Sequence, residues 1–248
     1  VDVRSDMAAN HHVMGPLRSF RFLQEGRKKS CLLAAGDFDV RADVRPAGLD
    51  AHVKGRLATA DLQALGLIGK HYVTSADADL SLRSDMKHYY AVNGYVGKVM
   101  LNELRKGGYV PLAEGSFHVD AAMRGGKIDG AVKGVFTRID LYQLGVVDRP
   151  LSSSFAVNAS FAMSGKDDLR VRGLIGDLHV SDQHHTYIPG DVNVDLMSRR
   201  DTVHAVVDGG DFQLSTAFNS SVHQLAAAGQ RIYKSLLGQI ASRRIDQS

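Results

Sequence analysis

Several residue types are scarce in this sequence of 248 residues, and each scarcity excludes a class of protein. Cys31 is the single cysteine, so the chain can form neither an internal disulfide nor a cysteine-based zinc site. No apolar run approaches the about 18 residues that a membrane-spanning helix needs. The formal net charge is only +3, which is too small and too scattered an excess for a nucleic-acid-binding surface.

Proline and aromatic residues are also few, whereas glycine is frequent. The chain has 5 prolines, no tryptophan and 25 glycines, a composition typical of many strands joined by tight turns. Apolar residues make up 44% of the chain and charged residues 23%, which excludes wholesale disorder. The sequence starts at Val1, within an alternating stretch and without a signal-peptide pattern. We therefore expect it to be an internal piece of a longer protein.

Two segments of the chain repeat each other at an offset of 79 residues. Residues 36–66 and 115–145 are identical at 13 of 31 aligned positions without a gap, where chance would give roughly two. The offset continues upstream, since residues 1–7 match 80–86, and a further unit opens at Gly190. The pattern predicts one repetitive domain over 1–218, with units at 1–35 (partial), 36–114, 115–189 and 190–218 (partial).

Each unit contains stretches in which apolar and polar residues alternate. In residues 37–45 the even positions are apolar, as at Phe38 and Val40, whereas the odd positions are charged, as at Asp37 and Asp39. A period of two predicts a strand with one apolar face and one hydrated face. Because the apolar positions recur from unit to unit, we predict that they line a lengthwise groove. The predicted groove residues are Phe38, Val40, Val44, Leu80, Leu82, Phe117, Val119, Met123, Phe155, Val157, Phe161, Val192 and Val194.

Three local patterns add detail to this mostly-β prediction. The alternation changes parity at the glycines of GYVG (94–97) and GLIG (173–176), which predicts a β-bulge or a bend in each place. An aspartate followed by leucines in DLQALG (61–66) and DLYQLG (140–145) predicts a single helical turn capped by that aspartate. Residues 219–246 have instead a period of 3.6, which predicts an amphipathic helix packed on the same domain.

The sequence contains no catalytic or nucleotide-binding motif. GLIGKH (66–71) lacks the spacing of a phosphate-binding loop, and neither G-x-S-x-G nor H-E-x-x-H occurs. The adjacent pairs His11–His12 and His184–His185 suggest a metal site, but neighbours on a strand project to opposite faces. We interpret both pairs as solvated histidines near loops. We therefore expect no enzymatic activity, no cofactor and no metal.

The order of the motifs resembles a known family. The run G-D-F-x-V-x-A, then V-K-G-x-[LF], then D-L-x-x-L-G and an alternating strand occurs at 36–82 and 115–161. Together with the ending at 209–240, these motifs resemble the large AsmA-like and TamB proteins of Gram-negative bacteria, especially the long TamB-type proteins of the Bacteroidetes. The resemblance implies an inner-membrane anchor and a periplasmic part formed by a long curled β-sheet, a β-taco or gutter lined with apolar side chains. It implies no catalytic residues.

The resemblance also implies a function. Such proteins conduct phospholipid between the inner and outer membranes, or assist outer-membrane assembly with a barrel of the Omp85 type. We therefore expect a periplasmic section whose partners are phospholipid acyl chains and such a barrel, and not nucleic acid. The alternative is a structural or adhesive β-repeat whose interior is filled by its own side chains. The width of the groove distinguishes the two, because only an open cleft can accept an acyl chain.

Overall fold

The computed structural model describes residues 2–5, 10–24, 31–165, 168–182, 184–199, 202–210 and 213–219. Strands contain 79% of these residues, and fourteen antiparallel strands form one open sheet. The predicted mostly-β fold is therefore confirmed, and the described residues contain no helix. The helix predicted at 219–246 lies outside the described residues, except for Asn219, which ends the last strand.

The strands run through the chain with few long interruptions. They are β1 (Asp2–Ser5), β2 (His11–Gln24), β3 (Cys31–Arg45), β4 (Gly48–Asp61), β5 (Tyr72–Ser84), β6 (Tyr89–Arg105), β7 (Gly108–Arg124), β8 (Lys127–Asp140), β9 (Ser152–Ser164), β10 (Asp168–Ser181), β11 (Thr186–Tyr187), β12 (Val192–Arg199), β13 (Thr202–Asp208) and β14 (Gln213–Asn219).

The sheet is a meander in which strands adjacent in sequence are also neighbours in space. The order runs from β1 to β10 and then through β12, β13 and β14, while the short β11 pairs with the end of β10. Antiparallel neighbours can be joined by tight hairpins. Gly125 and Gly126 make the turn between β7 and β8 with φ angles of 55° and 80°, the left-handed values that a type I′ turn requires at both central positions.

Three strands, β2, β6 and β10, each contain one non-glycine residue in the left-handed region. Ser19 in β2, Lys98 in β6 and Asp177 in β10 have φ angles of 54°, 48° and 51°, and the pairing register shifts beside each of them. The bulges predicted next to Gly97 and Gly176 are therefore confirmed. Successive members of this set, Ser19, Lys98 and Asp177, are 79 residues apart.

The segments that follow Asp61 and Asp140 form single hydrogen-bonded turns. The N–H of Leu65 donates to the carbonyl of Asp61, and the N–H of Leu144 donates to the carbonyl of Asp140, both at 3.0 Å. The Asp61 carboxylate also accepts the N–H of Ala64 at 3.0 Å, as a capping aspartate does. Each segment makes one turn and no helix, so it serves as a compact connection between two strands.

Few side chains of the sheet are buried. Val147 and Leu151 belong to the connection between β8 and β9, which therefore supplies part of the small core. The buried apolar residues among those described are Leu33, Ala60, Leu112, Ala122, Val147, Leu151, Val192, Val203 and Ala205. Most of the sheet surface therefore stays at least partly accessible on both sides.

Candidate functional site: the apolar face of the sheet

All thirteen predicted groove residues lie on one face of the sheet. Residues paired across antiparallel strands project to the same face, so each face can be followed from strand to strand. One row of partners passes through Phe38, Gly55, Ala78, Val96, Phe117, Gly134, Val157, Ile175 and Val192. The expectation that Phe38 and Phe117 face the same way is therefore confirmed.

The neighbouring rows have the same apolar character. The next row passes through Val40, Val53, Leu80, Gly94, Val119, Val132, Ala159, Gly173, Val194 and Val207. Gly94 and Gly173 thus also share a face, as expected. Two further rows carry Leu82 with Phe161, and Val44 with Met123. We call the side of the sheet that carries these rows the apolar face.

The apolar face is accessible to solvent in most places. Among the thirteen residues Val192 alone is buried, Leu82 is 36% exposed, and the others are half-buried. The rings of Phe136 and Phe155 pack against each other on this face with centroids 5.1 Å apart. Every described strand belongs to the one sheet, and the face is buried toward β12 and β13, at Val192, Val203 and Ala205.

Two phenylalanine rings on this face pack closely against glycines. A Cβ atom added to Gly36 would lie 2.8 Å from Cε2 of Phe38, and one added to Gly115 would lie 3.0 Å from Cδ1 of Phe136. Real Cβ atoms do not approach other atoms so closely, so these positions suit glycine alone. The two rings therefore lie along the sheet and do not project far from it. The apolar face is correspondingly flat at these positions.

The opposite face carries charged side chains that pair across strands. Asp79 on β5 accepts from Lys54 on β4 at 2.8 Å and lies 3.2 Å from Nε2 of His52. The hydrogen bond from Lys54 lowers the pKa of the Asp79 carboxyl below its usual value. Because these pairs are exposed, they add little to stability. They keep this side of the sheet hydrated while the other side stays apolar.

A cavity of 510 Å³ opens at one end of the apolar face, where β4 to β8 meet their hairpin turns. Two predicted groove residues, Leu82 and Met123, line it, and the other eleven lie elsewhere on the face. We call it the hairpin-end cavity. Its lining consists of Leu49, Leu82, Arg83, Ser84, Met86, Tyr90, Ala91, Val92, Ala121, Ala122, Met123 and Ile128.

Several of these lining residues are not among the predicted groove residues. Leu49, Tyr90 and Ile128 lie in the same cross-strand row as Met123, so the alternation of their own strands is the signal that points to them. Met86 lies in the turn between β5 and β6 and has no periodic neighbours. Its place beside the cavity follows from the tertiary structure alone.

Asp85 organises the turn beside the hairpin-end cavity. Its carboxylate accepts the backbone N–H groups of Lys87, His88 and Tyr89 at 2.7–2.8 Å. These bonds, that of Tyr89 first, lower the pKa of the Asp85 carboxyl. Met86 occupies the left-handed region with φ of 57° and is 58% exposed. The turn therefore presents an apolar side chain to solvent at the edge of the cavity.

Several of the described histidines each lie beside one carboxylate. Nδ1 of His12 lies 2.7 Å from Oδ1 of Asp43, and Nε2 of His71 lies 2.8 Å from Oδ2 of Asp61. Within the described ranges, no group of three or more His, Cys, Asp or Glu side chains is arranged to hold a metal ion. These histidines therefore act in pairwise contacts.

Comparisons of the chain with protein-family models, with curated proteins and with solved structures find no match. In the part of the chain that the structure describes, no helix has the length and apolar character that crossing a membrane requires. The apolar face and its cavity are the features of the described sheet that point to a function.

Proposed function

We propose that the apolar face binds phospholipid acyl chains, and that the chain is a periplasmic section of an AsmA- or TamB-like protein that conducts phospholipid between the inner and outer membranes. The observation that carries the proposal is the continuity of apolar rows across the sheet, from Phe38 on β3 to Val192 on β12. Soluble proteins rarely expose a large contiguous apolar patch unless that patch binds something. Side chains that stay half-buried over most of this face fit such a role.

The energetics of lipid movement favour a surface of this kind. Transfer of one methylene group out of water is worth about 0.8 kcal/mol, so an acyl chain of about sixteen carbons crossing water unaided would meet a barrier on the order of 12 kcal/mol. A continuous apolar face removes most of that barrier. Where rings pack on glycines, as Phe38 does on Gly36, the face is shallow and would not trap a sliding chain.

The 79-residue unit and the curled gutter are parts of the same proposal. Two observations support the unit: Ser19, Lys98 and Asp177 form bulges 79 residues apart, and Phe38 faces Gly55 as Phe117 faces Gly134. In this scheme the units 36–114 and 115–189 each contribute four long strands. Successive units then extend one groove in one direction, as stacked repeats do.

Photo-crosslinking tests the proposal directly. A crosslinking residue at Val119 or Val157 on the apolar face should capture phospholipid, whereas one at Asp120 or Asn158 should not. The controls are matched, because each is the next residue on the same strand and projects to the opposite face. Equal capture at Val119 and Asp120, or capture at neither Val119 nor Val157, would contradict the proposal.

The partner and the location follow from the same proposal. The protein of which this chain is part would be anchored in the inner membrane, and its groove would lead toward a barrel of the Omp85 type. Crosslinking in intact Gram-negative cells, with the barrel protein as the target, tests this part independently of lipid capture.

A structural or adhesive repeat with a filled interior is the competing candidate. The packing of Phe136 on Phe155 favours it, because interlocking rings are what a filled interior would contain. The two candidates differ in how they tolerate charge on the apolar face. Val119→Asp separates them, since an open face can hydrate a carboxylate and a closed interior cannot.

A further inference from the structure

We infer that the hairpin-end cavity is a binding site for an anionic phospholipid, with the acyl chains in the cavity and the phosphate at the two adjoining turns. The inference rests on the proposed function, because it takes acyl chains to be the ligands of the apolar face. It adds the charge of the headgroup, the place at which the headgroup binds and the residues that hold it.

The size and the lining of the cavity fit the chain of a lipid. Its volume of 510 Å³ lies within the about 300–1,000 Å³ of ordinary ligand pockets. Met86 is 58% exposed, Tyr90 44% and Leu82 36%. Three large apolar side chains thus remain in contact with water around one opening. An apolar ligand that covered them would remove that contact.

The rim of the cavity is basic. Lys87 lies in the turn between β5 and β6 next to Met86, while Arg124 and Lys127 flank the turn between β7 and β8 next to the lining residues Met123 and Ile128. All three cations are exposed. None of them has a carboxylate of another described residue within ion-pair distance, which leaves their charges available to a ligand.

The two turns form one surface. The N–H of Gly125 in the second turn donates to the carbonyl of His88 in the first at 3.1 Å. The Arg124 guanidinium lies over the ring of Tyr89 with its Cζ 5.3 Å from the centroid, so an aromatic contact also joins the two turns. Lys87, Arg124 and Lys127 therefore surround a common region beyond the ends of the strands.

Nearby carboxylates offset this positive charge only in part. Asp85 is ionised in the same turn as Lys87, and its carboxylate is directed to three backbone N–H groups of that turn. Asp50 lies on the neighbouring strand and pairs with Arg83 at 3.2 Å. Asp129 projects to the opposite side of the sheet from Ile128. A phosphate placed beyond the strand ends would thus meet three cations and the single carboxylate of Asp85, which leaves a net positive charge at the two turns.

The apolar cavity and its basic rim together favour one class of ligand. Guanidinium and ammonium groups bind phosphate by charge-assisted hydrogen bonds. Phosphatidylglycerol carries one net negative charge, whereas phosphatidylcholine adds a cation that would face Lys87, Arg124 and Lys127. We therefore expect the cavity to prefer the anionic lipid over a zwitterionic lipid with the same acyl chains.

The test uses a photo-crosslinker at Met86, at the edge of the cavity, and one at Val119, on the middle of the apolar face. The protein is mixed with vesicles of phosphatidylglycerol or of phosphatidylcholine with identical chains. At Met86 the capture of phosphatidylglycerol should exceed that of phosphatidylcholine by about tenfold, since three cations near an anionic headgroup act together. The preference should weaken as salt is raised, because the cations are exposed.

Two matched variants assign the preference to the rim. The triple variant Lys87→Gln, Arg124→Gln, Lys127→Gln should capture both lipids equally at Met86. The control variant Lys70→Gln, Lys106→Gln, Arg149→Gln removes the same charge from exposed positions at the opposite end of the sheet and should keep the preference. If both variants lost the preference for phosphatidylglycerol equally, the inference would be overturned, because such a result would indicate a general attraction of the protein to an anionic membrane.

The remaining outcomes separate this inference from the proposed function. If Val119 captures lipid while Met86 captures neither lipid, or captures both equally in the wild type, the headgroup site is wrong and the lipid-binding face stands. If neither position captures lipid, both are wrong. Inorganic phosphate added in excess should weaken the preference for phosphatidylglycerol, as other salts do, while lipid is still captured at Met86; abolition of all capture would indicate a site for soluble phosphate instead.

Discussion

Phe161 on β9 lies across Gly130 on β8, so that a Cβ atom on Gly130 would come within 2.6 Å of Cζ of the ring. The two residues are direct cross-strand partners on the apolar face. The glycine thus provides the space that lets the ring lie flat on the sheet. The same arrangement of a large side chain beside a glycine recurs at Phe38 and Gly36, which makes it a general feature of this face.

Gly130→Ala should destabilise the protein because the new methyl group would come within 2.6 Å of both the backbone carbonyl oxygen of Asp120 and the Phe161 ring. We expect the free energy of unfolding to fall by about 1–3 kcal/mol, as for overpacked sites. Gly107→Ala is the control, since a Cβ atom there would have nothing within 4 Å, and it should change the free energy of unfolding by less than about 0.5 kcal/mol. Urea denaturation measures both. Equal effects of the two substitutions would contradict the packing described here.

Val119→Asp should leave the sheet folded and abolish lipid capture at Val157. The half-buried position lets water reach the carboxylate, so the cost stays below the several kcal/mol of a fully buried charge. Val203 has no exposed surface, and Val203→Asp should therefore unfold the protein. Circular dichroism and crosslinking provide the measurements. Unfolding by Val119→Asp would instead support the filled structural repeat.

Asp61 should make stability fall in acid. Partial burial raises the pKa of its carboxyl, but the N–H of Ala64 and the imidazole of His71 lower that pKa further, and the net shift is downward. A carboxyl whose pKa is lowered by folding stabilises the folded state above its unfolded pKa of about 3.9 and loses that contribution as the pH falls through its folded pKa.

Asp61→Asn isolates this contribution. The asparagine can still cap the turn but carries no charge for His71. The variant should be less stable than the wild type at pH 6, and the difference in the free energy of unfolding should shrink steadily below about pH 4. Urea denaturation at a series of pH values measures it. A difference that does not change with pH would show that the carboxylate charge is unimportant.

Asp85→Ala should loosen the turn beside the hairpin-end cavity. The substitution removes the acceptor of the N–H groups of Lys87, His88 and Tyr89, and their amide hydrogens should exchange faster with solvent. Lipid capture at Met86 should fall more than capture at Val119, because only Met86 depends on this turn. Unchanged exchange at the three amides would contradict the role given to Asp85.

The two-residue alternation determines, by itself, which residues share a face. Phe38, Val119 and Phe161 could be assigned to one side of the sheet because side-chain direction in a strand depends only on the local backbone. The parity change at Gly97 and at Gly176 likewise indicated a bulge from neighbouring residues alone. The third bulge, at Ser19, contains no glycine at the parity change, so its sequence carried no comparable signal.

The hairpin-end cavity depends instead on the tertiary structure. Leu49 and Ile128 both line it although three strands, β5, β6 and β7, lie between their own strands in the sheet. Leu49 and Ile128 lie at one cavity because of the register of every strand pair from β4 to β8. No single segment of the sequence determines all of these registers. Met86 joins the lining through the conformation of one turn. Side-chain direction is a local property of the strand, whereas a cavity is made by contacts between segments that are distant in the chain, and only the folded sheet decides it.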